Sequence, residues 1–274
     1  MAIPLEILIS TMFRDNLEFL KPIFAKNAIE DFNLIIVNQT TKDKLLHSDN
    51  PNIKVINSFE RGSPNSRNLA IKNATASICL MADDDMVYEP NLKDTLLNAY
   101  QKHPEADMIS FEAINEDGAL YTNYFPPGPH HKKSLMKIFT LVISFKREPY
   151  SKHQIFFNKH FGVGSTFKGA TEYVFLRNAF DKGLNMIHVK ESIVMHPKIS
   201  SGTLMGSDNA FFAKTALKHR YLGNLSYIWL AKYTIYMWHY GYIKFNEIPK
   251  KFKIGYNGIL TYKKLKAQGE IDKI

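Results

Sequence analysis

Cysteine is nearly missing from this chain of 274 residues: Cys79 stands alone. No intrachain disulfide can form, which excludes a small disulfide-stapled scaffold and suits a reducing compartment. Cys79 lies in the apolar run Ile78-Cys79-Leu80-Met81 and reads as a small buried hydrophobe. Also absent is any run of about 18 uncharged apolar residues, so no transmembrane helix is expected. The segment Ile3 to Ile9 is short, contains Glu6 and follows no basic stretch, so it does not read as a signal peptide. Internal repeats and long low-complexity stretches are missing too. These absences lead us to expect a cytoplasmic chain, at most peripheral at the inner face of the cell membrane.

Negative charge is the next shortage. Lys and Arg number 35 against 26 Asp and Glu, a formal charge of +9 with a pI near 9.3. Such a balance favours an anionic partner: nucleic acid, an acidic membrane surface or phosphorylated small molecules. Zinc-finger spacing and an aromatic-plus-basic RNA-binding signature are both lacking, so no nucleic acid partner is expected. What is present is apolar material, 45% of the residues, enough to fill one large domain or a domain with an appendage.

Along the chain, strand and helix signals alternate. Residues 5–9, 34–37, 53–56, 78–82 and 107–112 read as strands, several of them apolar throughout, as parallel strands covered on both faces should be. Between them, helices are expected over 15–28 (with Pro22 as a kink), 64–74 and 91–100. This alternation predicts a mostly parallel, Rossmann-like α/β sheet flanked by helices. Residues 115–133, rich in Gly and Pro, read as a long loop or a β-excursion, and 134–145 fit helix and strand equally. A helix ending at Gly183 and a strand over 185–189 follow. Beyond Ser207 two helices are expected, and then a basic, mobile tail from Lys250 to Ile274.

The sharpest local signal is Asp83-Asp84-Asp85 where an apolar strand ends. Adjacent carboxylates repel, and Asp is a poor strand former, so folding alone gives no reason for them there. A divalent cation would remove the repulsion, and hard oxygen ligands suit Mg2+ or Mn2+. The carboxyl end of a parallel strand is also where ligands bind in open α/β sheets. A solvated acidic turn is the plainer alternative. Upstream, Arg61-Gly62-Ser63-Pro64-Asn65-Ser66-Arg67-Asn68 combines a glycine turn, Ser63 as N-cap and Pro64 in the first helical position. The helix's positive end and Arg67 would face an anion, with Arg61 close by.

Taken together, these pieces resemble a known family. Leu8-Ile9-Ser10-Thr11 with Arg14, then Ile35-Ile36-Val37-Asn38-Gln39, then Arg61-Gly62 through Ser66-Arg67-Asn68, then Leu80-Met81-Ala82-Asp83-Asp84-Asp85 look like glycosyltransferase family 2. Phe161-Gly162-Val163-Gly164 to Arg177 and Val194-Met195-His196-Pro197 resemble its acceptor half. The resemblance spans about 200 residues and is specific as a set, each piece alone being weak.

The resemblance implies a GT-A fold. Residues 1–105 would form the nucleotide-sugar half, 106–205 the acceptor half and 206–274 a C-terminal helical extension. It implies an inverting hexosyltransferase that moves sugar from a nucleotide-diphosphate sugar to a saccharide or lipid-linked saccharide, as in bacterial surface-polysaccharide assembly. Asp83 and Asp85, with His196, would hold Mn2+ or Mg2+, and Thr11, Arg14, Arg61, Arg67, Asp83 and Asp84 would surround the donor. Asn38-Gln39 stand where the family usually carries a base-reading aspartate; an amide can still pair with a pyrimidine edge, so a UDP-sugar is the first choice. The family's Glu-Asp pair is also departed from: Ala170 and Thr171 fill its places, and Glu172, one position later, is the candidate general base.

The aromatic stretch Trp229 to Trp238 places Trp229, Tyr233, Tyr236 and Met237 on one helical face. Packing is the plain reading, and contact with an anionic membrane surface the alternative. Two rival functions remain at this point: a nucleotidyltransferase, and a degenerate relative that binds nucleotide sugar or carbohydrate without transfer.

Overall fold

The computed structural model describes residues 5–197 and 205–272. The chain divides into two compact units. The first comprises Met1–Arg61, Asn65–Phe157 and Glu172–Lys198; the second comprises Gly62–Pro64, Asn158–Thr171 and Ile199–Ile274.

The element order is β1 (Leu5–Met12), α1 (Leu20–Ile23), β2 (Asn33–Gln39), β3 (Ile53–Ser58), α2 (Ser63–Asn73), β4 (Ile78–Asp83), β5 (Val87–Tyr88) and α3 (Leu92–Lys102). Then come β6 (Met108–Ile114), β7 (Gly128–Pro129), β8 (Ile143–Lys146), α4 (Arg147–Lys152), α5 (Thr171–Asp181) and β9 (Met186–Met195). Three helices follow: α6 (Asp208–Leu222), α7 (Leu225–His239) and α8 (Ile248–Ala267).

One sheet runs in the order β3-β2-β1-β4-β8-β6-β9-β5, with β7 added beside β9. Strands β3, β2, β1 and β4 are parallel, and so are β6 and β9. Strand β8 lies antiparallel between β4 and β6, closing the middle of the sheet. The parallel strands are buried because their sequences carry apolar side chains toward both covered faces; Ile7, Leu8, Ile9, Ile35, Ile36, Val37, Leu80 and Met81 have no exposed surface. Cys79 is buried among them, and desolvation pushes its thiol well above the ordinary range. On α3 the inner stripe is Leu92, Leu96 and Ala99, as the 3.6-residue period predicts.

Three expectations change. The helix expected over 15–28 shrinks to α1, a single turn around Pro22, because proline cannot donate into a longer helix. Residues 134–145, ambiguous by pattern, form two 3-10 turns and the start of β8. The basic tail expected from Lys250 is instead the 20-residue helix α8. Its buried stripe is Lys251, Gly255, Gly258, Ile259 and Tyr262, so two of its packing positions are glycines that carry no hydrophobic signal. A Cβ at Gly258 would lie 2.3 Å from the Phe212 carbonyl oxygen of α6, and one at Gly255 would lie 2.5 Å from Leu230 Cδ1 of α7. The absence of a side chain is what lets these helices pack.

Candidate functional site

The parallel strands end at one edge of the sheet. In register there, Ser10 of β1 lies beside Asp83 of β4, Thr11 beside Asn38 of β2, and Met12 beside Gln39. Each of the three aspartates after β4 turns to a different partner. Asp83 accepts from Arg67 Nη2 on both oxygens, at 3.0 and 3.4 Å. Asp84 Oδ2 accepts from Thr11 Oγ1 and from Arg14 Nη2 and Nε at 2.8 and 3.1 Å. Asp85 Oδ1 lies 3.3 Å from His196 Nε2. The premise that the triplet needs a metal ion to relieve its repulsion is therefore corrected: two arginines and a histidine from distant parts of the sequence separate the charges.

Arg67 is the hub. Its side chain is buried beside the Phe157 ring, and its Nη1 reaches Glu172 Oε1 at 3.3 Å. Burial works against the guanidinium charge, but Asp83 and Glu172 outweigh it and hold Arg67 cationic. Burial pushes the Asp83 carboxyl up, against the pull of Arg67. Glu172, in the first turn of α5, also accepts from Thr140 Oγ1 at 2.5 Å. The next residue on α2, Asn68, both donates to and accepts from the Phe157 backbone at 2.7 Å, locking α2 to that segment. Arg67 was expected to face a ligand phosphate; here it pairs with two carboxylates of the chain itself.

Asn38 and Gln39 are likewise engaged. Asn38 is fully buried; it accepts from Arg14 N at 3.1 Å and donates to Arg14 O and Asn57 Oδ1. Gln39 donates to Glu60 O at 2.9 Å. Both amides thus hold the surrounding loops, and Asn38, with no exposed surface, offers no edge to a base. Arg61 lies over the Phe13 ring at 4.2 Å and reaches Gln39 O at 3.4 Å.

Phe13 was missed by the sequence reading. It follows β1, is 41% exposed and takes a left-handed backbone (φ 55°) that a bulky residue adopts only under constraint. Nothing in Thr11-Met12-Phe13-Arg14 announces that conformation; an unexplained aromatic at a strand's carboxyl end was the one available clue. Also missed was a buried relay: Ser110 Oγ lies 2.8 Å from His130 Nε2 and 3.0 Å from His188 Nδ1, and His130 Nδ1 lies 2.9 Å from Ser134 Oγ. Desolvation lowers the His130 pKa to about 3, so this ring is neutral.

Does the site fit a divalent cation? Among the described residues no group of three or more His, Cys, Asp or Glu side chains converges to hold one alone. The Asp85–His196 pair does fit two adjacent coordination positions, since neighbouring oxygen or nitrogen ligands at ~2.1 Å lie about 3 Å apart. His196 Nδ1 lies 2.7 Å from the Pro197 carbonyl, the arrangement that leaves Nε2 with its lone pair toward Asp85. Their hydrogen bond shifts both groups: Asp85 raises the His196 pKa, and His196 lowers that of Asp85. The Asp85 side chain keeps 67% of its surface open. Two protein ligands with room for phosphate and water is how Mg2+ and Mn2+ are usually held at substrate diphosphates.

The comparisons bear on the family and the fold. A family model for glycosyl transferase family 2 matches residues 17–168, more than half of the chain. No curated protein matches by sequence. Residues 1–349 of S. aureus TarS superpose with a TM-score of 0.57 at 11% identity, covering 97% of this chain and 91% of that one. The same TarS region in complex with UDP gives 0.57 at 13% identity, covering 97% and 91%. Its complex with UDP-GlcNAc gives 0.57 at 12%, covering 97% and 92%. At these identities the likeness establishes the fold, a GT-A sheet with C-terminal helices. Family model, fold and the residues at the sheet edge lead to one conclusion: the chain belongs to glycosyltransferase family 2.

Proposed function

We propose that the chain transfers a sugar, with inversion, from a uridine-diphosphate sugar to a hydroxyl of a saccharide or lipid-linked saccharide in polysaccharide synthesis. The observation that carries this reading is the division of labour among the three aspartates. Asp83 and Asp84 are neutralised by buried or half-buried arginines, while Asp85 with His196 stays open. In this reading residues 1–105 serve the donor and 106–205 the acceptor. The UDP and UDP-GlcNAc complexes of TarS support the choice of donor.

Asp85 and His196 would hold Mn2+ or Mg2+. When bound, that ion neutralises the diphosphate on which negative charge develops. The exposed Phe13 ring, backed by Arg61, supplies a flat apolar platform for the nucleobase. That role replaces base reading by Asn38 and Gln39. Thr11 and Arg14, tied together through Asp84, fix the loop that carries Phe13. Glu172 takes the proton of the acceptor hydroxyl as its oxygen bonds to the anomeric carbon. The bond from that carbon to the diphosphate oxygen breaks, and the electron pair leaves with the nucleotide. Arg67 and Thr140 hold Glu172 by one oxygen, leaving the other for the acceptor.

The test is calorimetric titration of UDP with and without Mn2+, on the parent chain and on Asp85→Ala and His196→Ala. Binding that strengthens with Mn2+ in the parent but not in the variants supports the assignment. Metal-enhanced binding of equal strength in Asp85→Ala removes it.

A further inference from the structure

Helix α7 is apolar on both of its sides. Its buried positions are Ser226, Leu230, Thr234 and Met237, and Leu230 and Met237 join Phe211, Ile243 and Ile259 in the core of the second unit. On the opposite side stand Leu225, Ile228, Ile235 and Tyr236, exposed by 64, 58, 58 and 47%. Helical spacing puts these four on one stripe, where a helix facing water carries polar residues. The sequence reading had grouped Trp229, Tyr233, Tyr236 and Met237. The structure splits that set: Met237 goes to the core, while Trp229 and Tyr233 stack on each other at 4.6 Å along the flank.

The stripe has a cationic border. Lys218 Nζ lies 5.3 Å from the Trp229 ring centroid and Lys214 Nζ lies 5.6 Å from that of Tyr233, both reaching over from α6. Lys232 is exposed on the stripe itself. The imbalance is regional. Residues 205–272 hold eleven Lys and Arg against four Asp and Glu, a net +7 of the chain's +9.

These facts constrain the occupant. A dissolved polyanion would satisfy the lysines but leave Ile228 and Ile235 in water. A second copy would bring seven positive charges against seven. Aliphatic side chains ringed by lysine and flanked by aromatic rings match the boundary between acyl chains and anionic headgroups.

We propose that the outward face of α7 docks on an anionic lipid bilayer. Ile228 and Ile235 enter the acyl boundary, and Lys214, Lys218 and Lys232 meet the headgroups. This inference rests on the second unit alone and does not depend on the transfer reaction.

The experiment is vesicle flotation of the full chain with phosphatidylglycerol–phosphatidylcholine vesicles and with phosphatidylcholine alone. The chain should float with the anionic vesicles and release as salt rises, because screening weakens the lysine contribution. The double variant Ile228→Glu/Ile235→Glu should bind about tenfold more weakly or worse, since it places charge in the acyl boundary. Lys214→Glu/Lys218→Glu should weaken binding to anionic vesicles through the charge alone. Circular dichroism melts of Ile228→Glu/Ile235→Glu should match the parent, because both side chains are exposed, whereas Lys214 and Lys218 are half-buried over the Tyr233 and Trp229 rings and their variant is compared only at temperatures where it keeps the parent's helicity. Absence of flotation, flotation unchanged in both variants, or equal binding to neutral vesicles overturns the proposal. So does a lipid-free dimer in analytical ultracentrifugation that Ile228→Glu/Ile235→Glu dissociates, which would assign the face to a second copy.

Discussion

The sheet edge of the first unit and the helices of the second handle charge in opposite ways. After β4, each of three consecutive carboxylates meets its own cation or histidine, and the most buried cation, Arg67, serves two carboxylates at once. Among residues 205–272, cations outnumber carboxylates eleven to four. Matched charges in a partly buried setting fix side chains in place, which suits the proposed orienting of a donor and a base. Unmatched charges beside exposed aliphatic groups add little to internal stability. Under the proposal for α7, an anionic lipid surface supplies their complement.

The comparison can be broken most sharply at Glu172. Glu172→Gln should lower the turnover of sugar transfer by about 10²-fold or more while leaving donor binding intact, as single-turnover kinetics beside calorimetry would show. Unchanged turnover would put the base elsewhere. Next in size is Arg67→Met, which leaves Asp83 and Glu172 without their shared cation. It should cost about 2–3 kcal/mol in denaturant unfolding, less than breaking a fully buried pair, because both carboxylates keep some contact with water. By contrast Lys232→Ala, on the unmatched surface, should change stability by less than ~0.5 kcal/mol. If the two variants unfolded alike, the contrast between the regions would fail.

A smaller effect probes helix packing in the second unit. Gly258→Ala should destabilise by about 1–3 kcal/mol, since a methyl group there meets backbone that cannot swing aside. A raised melting temperature would mean that the helix-propensity gain outweighs the contact. Smallest at neutral pH is the contribution of His130. Its pKa falls from 6.5 to about 3 on folding. Between those values the unfolded chain binds more protons than the folded one, so stability drops as pH falls through that window and is unaffected above it. His130→Asn should flatten the decline in melting temperature between pH 6.5 and 4; an unaltered slope would assign the decline to other groups.

Much of this architecture could be read from the sequence. The parallel strands announced themselves by apolar runs, and Asp83 to Asp85 by their position after one. Glu172 and His196 came from family resemblance, and the structure brings them to the same edge as Asp83 and Asp85 through Arg67 and the His196 contact. Legibility failed where the signal was a missing side chain or a competing backbone partner. Gly255 and Gly258 disguised α8 as a tail, and Pro22 reduced a periodic segment to one turn. Asn38 looked free to read a base, yet its amide is held by Arg14 and Asn57.

By itself the sequence determined the alternation of strands and helices, the dominance of a parallel sheet and the place of an acidic turn. Those are local properties, set by side-chain period and by propensities over a few residues. Only the tertiary structure decided which cation each aspartate faces and which side of α7 stays uncovered. Arg67 meets Asp83 across 16 residues and Glu172 across 105. Pairings at such separations are set by how strands register and helices pack, and no short window of sequence contains that information.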